Sequence, residues 1–112
     1  MVFARARVDE VTPEELDLTD GLIVDVRTSG EMALGLLPNA ICIPMDQITS
    51  GIEALAWRRD DRITLYCAVG ERSLLAAAEL LDAGFSNVVS LAGGIKEWMA
   101  LGLGFGENST SQ

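Results

Sequence analysis

Arg62-Ile63-Thr64-Leu65-Tyr66 runs into Cys67-Ala68-Val69-Gly70-Glu71-Arg72-Ser73 and then into the run Leu74 to Ala83. The first five residues read as a strand and the last run as a helix, with Leu74, Ala77, Ala78 and Leu81 at helical spacing. A thiol at the end of a strand, just before a helix, sits where backbone N–H groups converge. Those groups and the helix dipole stabilise negative charge. A cysteine in this frame is expected as a thiolate, the reactive form.

Working outward, three further apolar runs read as strands: Leu22 to Val26, Ala40 to Ile43, and Val88 to Leu91. They are rich in β-branched residues and alternate little, as strands buried on both faces do. An additional edge strand is expected near Ala6-Arg7-Val8. Helical signals fall between the strands. Thr12-Pro13-Glu14-Glu15 is a capping box with proline at the first helical position, and Thr28-Ser29-Gly30-Glu31 is a second box. Ile48, Ile52, Leu55 and Ala56 predict a helix after Asp46. Gly84 stops the helix that follows Cys67, and Ile95, Trp98 and Met99 mark a last helix after Gly93-Gly94. The alternation predicts an α/β fold: a mostly parallel central sheet of about five strands with helices on both faces.

The chain has 112 residues, with 49% apolar, enough for one core and one domain. That domain is expected over residues 1–106, with 107–112 a disordered polar tail. Two cysteines and no histidine make neither a disulfide scaffold nor a metal site, so a reducing, cytoplasmic setting is expected. Met1 to Arg7 lacks the apolar run of a signal peptide, and no segment approaches the ~20 apolar residues of a membrane span. A net charge of −9 argues against nucleic acid as a partner.

These elements together resemble the rhodanese-like domains, over roughly Thr12 to Phe105. Pro13-Glu14-Glu15-Leu16 opens the domain. Leu22-Ile23-Val24-Asp25-Val26-Arg27, with Glu31 beyond, is similar to the family's Asp-Val-Arg element. Gly35-Leu36-Leu37-Pro38-Asn39-Ala40-Ile41-Cys42-Ile43-Pro44 is similar to its Gly-His-Ile-Pro-Gly-Ala segment, with Leu36 in place of histidine and Asn39 in place of glycine. Cys67 to Ser73 corresponds to the active-site loop, and Leu91-Ala92-Gly93-Gly94-Ile95-Lys96-Glu97-Trp98 to the closing helix signature. Gly102-Leu103-Gly104-Phe105 departs from the usual end of the domain.

The resemblance implies a sulfurtransferase with Cys67 as the sulfur-carrying nucleophile, ringed by the amides of Ala68, Val69, Gly70, Glu71, Arg72 and Ser73. Its partners are a small sulfur donor, thiosulfate or a persulfide, and a thiophilic acceptor. A protein-bound persulfide is a further candidate. No metal or organic cofactor is required. The loop is expected to expose Cys67, with Gly70 allowing the turn.

Arg72 either attracts an anionic donor or pairs with Glu71 or another carboxylate. Ser73 could hydrogen-bond the sulfur, although capping the helix is the plainer role. Arg27 is a candidate substrate contact, with pairing to Glu31 the plainer reading. Asp25 is expected to anchor a neighbouring loop.

Cys42 could be imagined as a resolving thiol. The family's strand order puts it two strands from Cys67, about 10 Å, beyond disulfide reach, so core packing is expected. Trp57 and Trp98 read as helix-face packing, and Arg58 to Arg62 as a solvated turn.

Two rival functions share these residues. Cysteine phosphatases, and arsenate reductases by analogy, use the same thiolate; phosphatases have five residues between cysteine and arginine. Here four intervene, which suits a sulfur atom better than a phosphate. Binding or regulatory rhodanese-like modules typically lack the cysteine. A sulfur-relay module would combine catalysis with a protein partner.

Overall fold

The computed structural model describes residues 8–33 and 35–104. Five strands form one sheet: β1 (Asp9–Val11), β2 (Leu22–Asp25), β3 (Ala40–Cys42), β4 (Ile63–Tyr66) and β5 (Val88–Leu91). Their spatial order is β1-β5-β4-β2-β3, and every pairing is parallel. The central strands β4 and β5 are buried at every position, which explains their unbroken apolar reading. The helices are α1 (Ser29–Met32), α2 (Ile48–Ala54), α3 (Glu71–Asp82) and α4 (Gly94–Ala100), with a short 3₁₀ turn at Met45–Gln47 ahead of α2.

Side chains alternate across the sheet. Val24, Ile63, Leu65 and Cys67 pack in one core with Ile48 and Ile52 of α2 and Leu74, Ala77 and Leu80 of α3. Ile23, Tyr66 and Leu91 point the other way and pack with Ile95 and Trp98 of α4. The sheet is thus covered on both faces.

Four expectations shift. The edge strand forms three residues later than expected, at Asp9–Val11; Ala6 and Arg7 lie outside the described residues. The Thr12 capping box closes, with Thr12 N–H donating to Glu15 Oε1 at 2.9 Å and Glu15 N–H to Thr12 Oγ1 at 3.3 Å, yet it encloses only a turn. Asp17 then takes the Thr19 N–H and hydroxyl, at 2.9 and 2.7 Å, and this local turn competes with helix propagation.

The helix after the loop starts at Glu71 with Gly70 as its N-cap (φ 102°), so Ser73 sits inside the first turn and does not cap it. Trp57 lies beyond α2 instead of on it, packed against the core. Trp98 does pack from a helix, and its Nε1–H donates to the Gly104 carbonyl at 2.8 Å. The expected tail at 107–112 lies outside the described residues. Among the described residues, no helix is long and apolar enough to cross a membrane.

Candidate active site

The chain leaves β2 for β3 on one side and leaves β4 for β5 on the other. The carboxyl ends of β2 and β4 therefore flank the point where the winding reverses, the usual place for a site in an open α/β sheet. Cys67 follows β4 directly. Gly70 N–H donates to its Sγ at 3.1 Å and Ser73 N–H at 3.4 Å. The positive φ of Gly70 turns the chain so that both amides face the sulfur.

A second element holds the loop from outside. The first amides of α4 bind the loop carbonyls: Ile95 N–H donates to Cys67 O at 2.9 Å, and Lys96 N–H to Ala68 O at 3.0 Å. These bonds fix the first two peptide groups of the loop, ahead of the Gly70 turn. Gly94 (φ 63°) makes this approach possible, because a Cβ there would lie 2.6 Å from the Ala68 carbonyl group and clash with the Cys67 oxygen. The Gly93-Gly94 pair was legible only as a helix start; its tie to residues 67 and 68 was not.

The sulfur is less accessible than expected. Cys67 is 1% exposed, because the loop wraps it from above while Val26 and Leu74 belong to the core cluster beneath. Val69 is half exposed at the loop, Ala68 is partly buried and Glu71 is exposed. Two amides, from Gly70 and Ser73, reach Sγ within hydrogen-bonding distance.

Both arginines are committed. Arg72 makes a bidentate pair with Glu31 at 2.8 and 2.9 Å, and Thr28 donates its N–H to the same carboxylate at 3.1 Å. Hydrogen bonding to Arg72, with Thr28 assisting, lowers the Glu31 pKa to about 2; the same bond raises that of Arg72. The alternative partner Glu71 is not used in this pair.

Arg27 does not pair with Glu31 as expected, since Arg72 occupies it. Arg27 instead grips Asp25 through Nε at 2.9 Å and Nη2 at 2.6 Å, and donates to the Gly35 carbonyl at 2.7 Å. Burial opposes the Arg27 charge, but the bonds and charge of Asp25 outweigh it, so its pKa is raised. Asp25 is fully buried and also accepts the Arg27 N–H at 2.9 Å, so it locks its own loop.

Tyr66 completes the β4 exit. Its hydroxyl accepts the Leu37 N–H at 3.0 Å, which fixes the segment after α1, and burial pushes its pKa strongly up.

Cys42 is an exposed free thiol, not core packing. The strand order did place it two strands from β4, but β3 is the sheet edge and Cys42 its last residue. Partial desolvation of the sulfur, then the nearby Asp25 charge, pushes its thiol pKa up even at this exposed position.

A cavity of about 390 Å³ lies between the segments that follow β2 and β3 and the helix α3, lined by Val26, Arg27, Thr28, Pro44, Met45, Asp46, Arg72 and Glu79. Cys67 does not line it.

A family model described as Rhodanese-like domain matches residues 11–101. The chain is 38% identical over 101 residues to a sulfurtransferase of Allochromatium vinosum, covering 86% of this chain and 92% of that protein. It is 38% identical over 93 residues to a tRNA uridine(34) hydroxylase of Photorhabdus laumondii, covering 80% of this chain but only 26% of that protein. A solved rhodanese-like domain protein of Staphylococcus aureus is 31% identical with a TM-score of 0.73, covering 89% of this chain and all of that one. The shared span, the parallel sheet and the position of Cys67 between β4 and α3 lead to one conclusion: the chain belongs to the rhodanese-like domain family.

Proposed function

We propose that the chain is a sulfurtransferase in which Cys67 carries sulfane sulfur as a persulfide. The observation that carries this reading is the pair of loop amides directed at Sγ. In the first step the Cys67 thiolate attacks the outer sulfur of a donor. The donor's S–S bond breaks, sulfite or a thiolate leaves, and a Cys67 persulfide forms. In the second step cyanide or an acceptor thiolate attacks the terminal sulfur and the Cys67 thiolate returns. Each step exchanges one bond to sulfur for another, so no external oxidant, reductant or cofactor enters. Fixed N–H donors offset the charge on sulfur in both steps.

The donor proposed is an organic or protein-bound persulfide, in a cytoplasmic setting. An available cation would favour thiosulfate, but Arg72 and Arg27 are both bidentate to carboxylates. The cavity they edge sets Val26, Pro44 and Met45 beside the carboxylates Asp46 and Glu79, a lining that favours carbon-bearing donors over a small dianion. The commitment of Arg72 to Glu31 also weighs against phosphatase chemistry, which needs a guanidinium facing the loop. Because Cys67 is 1% exposed, a donor reaches Sγ only when the surroundings of the loop shift.

Steady-state kinetics with cyanide as acceptor test the scheme. Parallel double-reciprocal lines are expected, with kcat/KM higher for cysteine persulfide than for thiosulfate. Saturation by thiosulfate at low concentration would contradict the donor assignment. Activity retained in Cys67→Ser would overturn the mechanism.

A further inference from the structure

Ser90 lies in β5 among Val88, Val89 and Leu91, and it is fully buried, as is Ser73. On that strand Ser90 shares a face with Val88, which packs in the same core as α3 and Cys67. Its Oγ is 2.7 Å from Ser73 Oγ. Ser73 Oγ in turn lies 3.3 Å from the Gly70 carbonyl and 3.5 Å from Cys67 Sγ. The chain of contacts thus runs from Ser90 through Ser73 to the sulfur.

Counting hydrogens gives this chain a direction. A hydroxyl has one hydrogen and two lone pairs, and a carbonyl oxygen only accepts. Ser73 is the partner the structure gives Ser90 Oγ. If Ser73 donated to Ser90, the Ser90 hydrogen would be buried with no acceptor among the described residues, an arrangement proteins avoid. The Ser90 hydrogen therefore goes to Ser73 Oγ. That leaves the Ser73 hydrogen two destinations, the Gly70 carbonyl or the Cys67 sulfur.

While Cys67 is a thiol, S–H donates to Ser73 Oγ and the Ser73 hydrogen rests on Gly70 O. Once the thiol proton has left to solvent, the Ser73 hydrogen can turn to the sulfur anion, with Ser90 still donating behind it.

We infer that Ser90 is a positioning residue for the sulfur chemistry: acting through the Ser73 hydroxyl, it supplies the anionic Cys67 with a third, charge-responsive donor beside the Gly70 and Ser73 amides. The inference rests on the reading of Cys67 as sulfur carrier. It adds a residue from a strand 23 positions away from the cysteine. Hydrogen bonds in series polarise one another, so the effect of Ser90 is felt at the sulfur without contact.

The test is an ultraviolet thiolate titration in a Cys42→Ser background, which leaves Cys67 as the one thiol. Other charges near the loop stay constant across variants: Glu71 and Arg72 on α3, Glu31 paired with Arg72, Asp25 and Arg27 at the β2 exit, and Lys96 on α4. Ser73→Ala is expected to raise the titration midpoint by about one pH unit, the scale of one charge-assisted hydrogen bond. Ser90→Ala is expected to raise it by about 0.3 unit, the cooperative share of that bond. In the Ser73→Ala background the Ser90 substitution is expected to add nothing.

Ser90→Thr and Ser90→Val, alike in shape, provide a matched pair: threonine keeps the parent midpoint and valine does not. An unchanged midpoint in Ser90→Ala, an effect additive with Ser73→Ala, or equal midpoints for threonine and valine would each overturn the inference. The titration needs no sulfur donor. A chain that never forms a persulfide would sink the sulfurtransferase reading and leave this result standing.

Discussion

Two strand exits face each other across the sheet switch point, and they solve opposite problems. The β2 exit holds a buried ion pair, Asp25 with Arg27, in which each charge satisfies the other and Gly35 O takes a further guanidinium hydrogen. The β4 exit holds Cys67 without a charged hydrogen-bond partner, faced by the Gly70 and Ser73 amides, while α4 ties down the Cys67 and Ala68 carbonyls at the start of the same loop. A side-chain pair makes a rigid wall; a backbone cradle makes a place where charge can come and go. Glu31 and Arg72 bridge the two, joining the helix after β2 to the helix after β4.

Breaking the wall should have the largest effect. Asp25→Ala leaves the Arg27 guanidinium buried and unpaired, and a stability loss of about 3–5 kcal/mol is expected in urea unfolding. A loss below about 1 kcal/mol would mean that the pair is not the anchor of the β2 exit.

Breaking the cradle from outside comes next. Gly94→Ala forces a side chain onto the Cys67 and Ala68 carbonyls at a positive φ. A loss of about 1–3 kcal/mol is expected, with slowed sulfur uptake by a folded variant. Normal uptake in that variant would show that the α4 tie does not shape the loop.

The bridge should matter least and depend on pH. The depressed pKa of Glu31 means that its pairing stabilises the fold above about pH 4.5. The contribution is lost as pH falls from there through about 2. The pair is about one-third exposed, so water screening limits it to about 1 kcal/mol. The stability gap between parent and Glu31→Gln should therefore be present at pH 7 and shrink below pH 4. A gap that widens on acidification would contradict the assignment. If Arg72 is withheld from substrate by this pair, Glu31→Gln should also lower the KM for thiosulfate.

The contrast between the exits also explains what the sequence could convey. Local patterns carried the strand–loop–helix frame of Cys67, the four principal strands and the glycine stop at residue 84, because each depends on neighbours within a few positions. The Thr12 box misled because the Asp17 turn a few residues later was the stronger local competitor.

The partner of Arg72 was open because Glu31 is 41 residues away and Glu71 stood beside it as a local alternative. Cys42 was read as core because it lay beyond disulfide reach of Cys67, whereas its exposure follows from its strand lying at the sheet edge. Ser90 offered only one faint signal, a hydroxyl inside an apolar strand, and its meaning appears once α3 is packed against β5.

The central claim is that surroundings, not thiol chemistry as such, assign sulfur transfer to one of two cysteines. Its most direct test is the intact mass of the two single-cysteine chains, Cys42→Ser and Cys67→Ser, after incubation with a persulfide or thiosulfate and desalting. One added sulfur atom is expected on the chain that retains Cys67 and none on the chain that retains Cys42. Equal labelling of both, or labelling of Cys42 alone, would contradict the account.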